Sequence, residues 1–403
     1  MQTKDRSQLE FVVLMASLMS IVALSIDAVL PALPRIGEYL NVTNTNDNQL
    51  MITMIFLGLG VGQLIFGPLS DSFGRKPIVY LGFIVFLIAS IICMTTKNFE
   101  MMIFGRVLQG IGLSSPRTMC IAMVRDSYSG DYMAKILSIV VMVFILVPVI
   151  APTLGQFLLN FYSWKAIFGF TLIFGALVMI WFWKRQRETL KPQHVIPFRL
   201  AIFKSGTIAF FKIRDAVVYT LLSGFITGSF MVYLSTSQQI FEQQYDLAEE
   251  FPYIFASLAI SVGLATYFNS VLVVRYGMKK IVNVSMLSYT IISFVFVVLY
   301  STTNPSITIL ITFFALQFFS VGFMFGNLRA LAMEPMGHIA GVGAALNGFI
   351  STVMAVPIAN YIGGFVKDSV LPLFIGFTIC GFISLILFYL NSLRAKNVSL
   401  VRK

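Results

Sequence analysis

The sequence predicts an all-α integral membrane protein: twelve transmembrane helices in two pseudo-symmetric six-helix bundles. Three observations predict it. The composition is too apolar for a surface wetted all round, twelve apolar segments have bilayer-spanning length, and a sequence motif recurs half a chain later.

The composition comes first. The 403 residues are 58% hydrophobic and 11% charged, where a soluble chain carries about 25% charged residues. Lipid is therefore the expected solvent. Cys93, Cys120 and Cys380 each fall inside an apolar run. They read as small core hydrophobes rather than as a disulfide framework or metal ligands. No cofactor and no metal site is expected. The first apolar run is too long for a signal-peptide core and ends in PALP rather than in an A-x-A site, so no cleavable leader is expected.

The spans follow in order. They cover roughly 11–34, 48–69, 77–96, 99–123, 134–160, 164–183, 215–240, 251–273, 281–300, 305–327, 341–365 and 371–392. Most connections are short. The exception, 184–214, is long, basic and central. The expected organisation is an N-terminal bundle over 1–183, a central cytoplasmic loop over 184–214 and a C-terminal bundle over 215–403.

Charge orients the spans. With both termini in the cytoplasm, inner ends and loops hold 22 of the 28 Lys and Arg residues; the outer side holds Arg35, Lys97, Lys165 and Lys367, and Arg106 and Arg117 lie within a span. This is the asymmetry of a multi-pass membrane protein with cytoplasmic termini. It accounts for the net charge of +11 without nucleic acid as a partner. Of the 17 acids, eight fall inside, eight outside, and one, Asp27, within a span.

The repeat links GPLSDSFGRKPI (Gly67–Ile78), after the second span, to SVLVVRYGMKKI (Ser270–Ile281), after the eighth. Gly74 aligns with Gly277, Lys76 with Lys279, and Asp71 with Val274. Each glycine is expected to supply the positive φ that a very short turn needs. Two parallel halves follow.

These features together resemble the major facilitator superfamily. Its signature loop has the form G-x-L-x-D-x-x-G-R-K, and the resemblance covers the whole chain. It implies that Gly67, Asp71, Gly74, Arg75 and Lys76 form a conformational latch, with Asp71 meeting Arg75 and a helix end of the other half, and Arg125 as a second partner. RVLQGIG (Arg106–Gly112) resembles the family's fourth-span pattern. VPVIAPTLGQ (Val147–Gln156) resembles in part the fifth-span pattern of exporters, through Pro152 and Gly155, with Pro148 as a further bend. DAVLPALP resembles the first span of drug:proton antiporters of the bicyclomycin and chloramphenicol resistance subfamily.

Asp27 then acquires a reading of its own. Placing a carboxylate mid-span costs roughly 2.5–3.5 kcal/mol, which protonation relieves, so Asp27 is a candidate proton carrier. Arg106 is its candidate partner: each lies seven residues from the outer end of its span, about 10 Å deep. A static pair, or Asp27 satisfying backbone freed by Pro31, is the structural alternative. Substrate-cavity candidates are Gln63, Gln109, Arg117, Met142, Tyr219, Tyr233, Gln317 and Asn347, any of which can instead be packing or lipid-facing residues.

The expected function is proton-coupled export of a small amphipathic organic compound by a monomer, multidrug efflux being the model, with the bilayer, protons and the substrate as partners. Proton-linked uptake of a metabolite by the same fold is the alternative. An enzyme is not expected: His194 and His338 stand apart, and no catalytic cluster or nucleotide motif occurs.

Overall fold

Pro31 lacks the N–H that would bond the carbonyl four residues back, at Asp27. The first helix, α1 (Gln8–Asp27), accordingly stops at Asp27. A 3-10 turn at Leu30–Ala32 carries the chain into a short helix, α2 (Leu33–Tyr39). The expected single span 11–34 is thus a helix, a break and a second helix, with the lone acid at the break.

The computed structural model describes residues 7–128, 130–195 and 200–401. The further helices are α3 (Leu50–Phe73), α4 (Arg75–Thr95), α5 (Phe99–Ser127), α6 (Gly130–Phe161), α7 (Trp164–Arg185), α8 (Leu200–Lys212), α9 (Arg214–Gln239), α10 (Phe251–Tyr276), α11 (Met278–Leu299), α12 (Ile307–Met333), α13 (Ala340–Gly363) and α14 (Leu371–Val401). Except for α2 and α8 these are the twelve expected spans. Among the described residues ten helical stretches are long and apolar enough to cross a bilayer. In α6 the apolar stretch is Val147–Phe161, and α5 carries Arg106 and Arg117 along its length. Among the described residues no strand occurs.

The helices form two compact units, 1–200 and 201–403. In the first, α5 packs against α3 and α4, and α1 against α6. In the second, α9 packs against α13 and α12, and α11 against α12 and α14. The helix α8 lies within the connection read as a loop.

The repeat is visible in the backbone. Gly74, between α3 and α4, has φ 97° and ψ 156°; Gly277, between α10 and α11, has φ 77° and ψ 151°. This region is essentially restricted to glycine, so both turns need that residue.

The core of the second unit is aromatic. Tyr233 and Phe318 stand 4.5 Å apart by ring centroids, and Phe314 stacks on both Phe318 and Phe374.

Candidate functional site

The first unit brings two of the sequence-derived groups together. One centres on Asp27 and Arg106. Asp27 is 5% exposed and Arg106 0%. The break after α1 exposes carbonyls that a continuous helix would have used. Arg106 reaches one of them: its Nη1 donates to the Ser25 carbonyl at 3.1 Å, and its Nε donates to the Met51 carbonyl at 2.7 Å. Nη1 also donates to Gln109 Oε1 at 2.8 Å, and Gln109 Nε2 donates to Ser90 Oγ at 2.8 Å. Arg106 therefore ties α1, α3 and α5 together, and Gln109 extends the chain to α4. Its plane lies over the Phe168 ring of α7, 5.8 Å from the centroid. Among the described residues Nη2 has no hydrogen-bond partner.

The depth expectation and the pairing expectation part here. Arg106 bonds a residue two positions before Asp27, so the two side chains belong to one level of the unit. Yet among the described residues no ion pair joins them. Backbone carbonyls and a glutamine amide occupy the guanidinium instead. Two carbonyls and one amide oxygen fill the positions that a paired carboxylate would take.

Gly155 of α6 meets this same break. A Cβ there would run into the Ala28 carbonyl. The glycine of the fifth-span pattern lets α6 lie directly on the turn beside Asp27. Pro148 and Pro152 remain inside α6.

The other group is the turn between α3 and α4. Arg75 pairs with Asp71 at 2.5 Å and, through Nε, with Asp126 at 2.9 Å. Its Nη1 also donates to Ser70 Oγ at 2.7 Å, and Ser70 donates to the Gly67 carbonyl. Asp126 takes the place expected of Arg125, which is exposed and forms no ion pair among the described residues. The reason is charge: the cation Arg75 sits inside the turn, and the acid of the Val124-Arg125-Asp126 run is the residue that can meet it.

A residue that sequence reasoning missed completes the turn. Glu188, just past α7, accepts from the backbone N–H of Arg75 at 3.0 Å and of Lys76 at 2.9 Å. These are unpaired donors at a helix start, where a carboxylate is favoured. Thr189 Oγ1 donates to Asp126, 3.2 Å away, and Lys76 Nζ donates to the Trp183 carbonyl. Gly74 is held by this contact as well as by its φ, since a Cβ there would lie 2.7 Å from Glu188 Oε2. Its counterpart Gly277 has nothing within 4 Å of such a Cβ, and Val274, aligned with Asp71, is 88% exposed. The clasp belongs to the first copy of the motif. No sequence signal near residue 188 points to it, because its contact crosses 113 positions.

The cavity candidates are scattered over the two units. Gln63 and Arg117 are half-buried, and Gln109 belongs to the Arg106 network. Tyr219, Tyr233, Gln317 and Asn347 are buried in the second unit. Asn347 donates to Thr220 Oγ1 at 2.8 Å, joining α13 to α9, and Tyr219 packs against Phe388. The side chain of Met142 lies outside the described residues. Among the described residues no group of His, Cys, Asp and Glu could hold a metal ion.

Comparison with known proteins adds the following. The family model of the Major Facilitator Superfamily matches residues 15–359. An uncharacterized MFS-type transporter of Bacillus subtilis, YdgK, is 28% identical over 89% of each chain. A bicyclomycin resistance protein homolog of Haemophilus influenzae is 25% identical over 96% of this chain and 97% of its own. The multidrug resistance protein MdtL of Salmonella typhi is 25% identical over 90% of both. Among solved structures, a D-xylose-proton symporter superposes with a TM-score of 0.76 at 13% identity, over 94% of this chain and 97% of that one. The human organic anion transporter MFSD10 (TETRAN) gives 0.68 at 14% identity, over 96% and 100%. These two similarities concern the fold alone.

Proposed function

The chain belongs to the Major Facilitator Superfamily, and from that premise we propose that this membrane transporter exports a small amphipathic organic compound in exchange for protons. The observation that carries the reading is Asp27: the single acid within a span, buried, at the end of a broken helix. Similarity to bicyclomycin and multidrug resistance proteins supports drug-like cargo.

In this reading Asp27 takes a proton from the outside and releases it inside. Arg106 is held by neutral carbonyls when Asp27 is protonated. Once Asp27 is ionised it competes for the guanidinium, whose Nη2 is unengaged. Exchanging Ser25 and Met51 for Asp27 would shift α1 against α3 and α5, which couples charge to shape. The proton contributes about 2.3 kcal/mol per charge per 100 mV of membrane potential. The bacterial inner membrane, cytoplasmic termini, a monomeric unit, and bundles 1–183 and 215–403 moving about the 184–214 connection complete the proposal. The turn of Gly67, Asp71, Gly74, Arg75 and Lys76 acts as its latch, strengthened by Asp126 and Glu188.

Inverted membrane vesicles test it. Acidifying the lumen should drive accumulation of a cationic dye or antibiotic, and the Asp27→Asn protein should show none. Accumulation driven by the opposite gradient would instead establish proton-linked uptake.

A further inference from the structure

The connection 184–214 carries eight Lys and Arg residues against one acid, Glu188, which is already engaged at the Gly74 turn. Within it α8 reads LAIFKSGTIAFFK: mostly apolar, with two lysines and no carboxylate. Its 13 residues make a rod of about 20 Å, short of the roughly 30 Å of a hydrocarbon core. This helix cannot cross a bilayer. Nor does it extend α9. Ile213, between the two, is extended, with φ −89° and ψ 95°, so the chain turns before the span begins at Arg214.

The two faces of α8 differ. Gly206 and Phe210, one turn apart, are buried. A Cβ on Gly206 would stand 3.0 Å from Val342 of α13, so this face lies on a helix of its own unit. Across the helix, Lys204, Ile208, Phe211 and Lys212 follow the i, i+4, i+7, i+8 spacing of a single stripe. All four are exposed, Ile208 by 48% and Phe211 by 59%. Among the described residues neither Lys204 nor Lys212 forms an ion pair.

An apolar pair bracketed by lysines fits one kind of surface. At the boundary of headgroups and acyl chains the apolar side chains reach inward, while lysine stems follow and keep their ammonium groups at the phosphates. Two cations with no acid on their helix favour a surface of net negative charge. A second copy of the chain would bring the same two lysines to a two-fold contact and set like charges together. We infer that the outward face of α8 docks on an anionic phospholipid surface, with Ile208 and Phe211 in the headgroup–acyl boundary and Lys204 and Lys212 on lipid phosphates. Connectivity agrees. The helix leads into the first span of the second unit, whose start is fixed by Arg214 Nε donating to Asn391 Oδ1 of α14 at 3.1 Å. On the orientation proposed above, this surface is the inner leaflet.

The test places a nitroxide spin label on Phe211→Cys in the full-length protein, whose three native cysteines are buried. The labelled protein is reconstituted in nanodiscs of phosphatidylglycerol or of phosphatidylcholine, and accessibility to dissolved oxygen and to an aqueous nickel chelate reads the label's surroundings. In phosphatidylglycerol the label should be open to oxygen and shielded from nickel. That shielding should be lost in phosphatidylcholine, and in phosphatidylglycerol once Lys204→Gln and Lys212→Gln are combined. A label on Ile208→Cys should report the same. A label open to nickel in phosphatidylglycerol leaves the face in water and overturns the inference. A label closed to both reagents reports a protein partner or a second copy and overturns it equally. Unchanged shielding in phosphatidylcholine, or without the two lysines, overturns the assignment of an anionic surface. No readout depends on transport, so failure here is distinct from failure of the proposed export.

Discussion

Arg106 Nη1 donates to the carbonyl of Ser25, 3.1 Å away, and not to the carboxylate two residues further on. The fully buried Arg106 is thus engaged by neutral acceptors, and among the described residues no ion pair joins it to the buried Asp27. For Asp27→Asn this predicts a fully folded protein that retains substrate binding and substrate exchange but loses all proton-driven accumulation. Binding by tryptophan fluorescence or a radioligand, set against gradient-driven flux in proteoliposomes, separates the two.

Arg106→Ala leaves Ser25, Met51 and Gln109 without their donor. At about 1–3 kcal/mol for a buried unsatisfied group, the variant should unfold several degrees lower and fail to transport. Arg106→Lys should not restore activity, since a single ammonium cannot match a planar fork that serves two carbonyls and an amide. Full transport by the lysine variant would show that only charge is needed.

At Gly74 two penalties coincide. The backbone there is strained for any other residue, by about 1–3 kcal/mol, and a side chain meets Glu188. Gly74→Ala should slow turnover with little change in KM. Adding Glu188→Ala should recover part, but not all, of the loss, because only the steric component is removed. Strict additivity in this double-mutant cycle would mean the two residues do not interact.

Asp126→Asn should impair transport more than Arg125→Gln does, since Asp126 makes the 2.9 Å contact with Arg75 and Arg125 is exposed. Initial rates of dye efflux from cells carrying equal amounts of each variant measure this. Equal effects would return Arg125 to the role first expected of it.

Gly155→Val places two methyl groups against the Ala28 carbonyl. Overpacking of this kind costs about 1–3 kcal/mol, and here it falls on the turn that positions Asp27. The expected result is a lowered Tm together with loss of proton coupling. Gly155→Ala should be milder in both.

These cases also mark how far the sequence could be read. The spans were legible because the bilayer imposes one length and one polarity on each. The turn at Gly74 was legible because a short connection restricts both φ and charge. The end of α1 at Asp27 was missed, although Pro31 encodes it, because an apolar count runs straight through a proline. The helix α8 was missed because its lysines made it resemble a linker. The partners of Arg106 were illegible for another reason: they are main-chain carbonyls, whose availability depends on where a helix breaks and not on which side chains stand there. Asp126 was within one residue of the expected site, whereas Glu188 is positioned by the fold alone.

Glu188 has a practical corollary. The chain beyond α7 closes the N-terminal half by contributing the acid that caps α4. Bipartite expression, with the halves made from separate messages, should therefore tolerate a break after His194 and fail with one after Arg185, where the leading fragment would be made without the means to fasten its own signature turn.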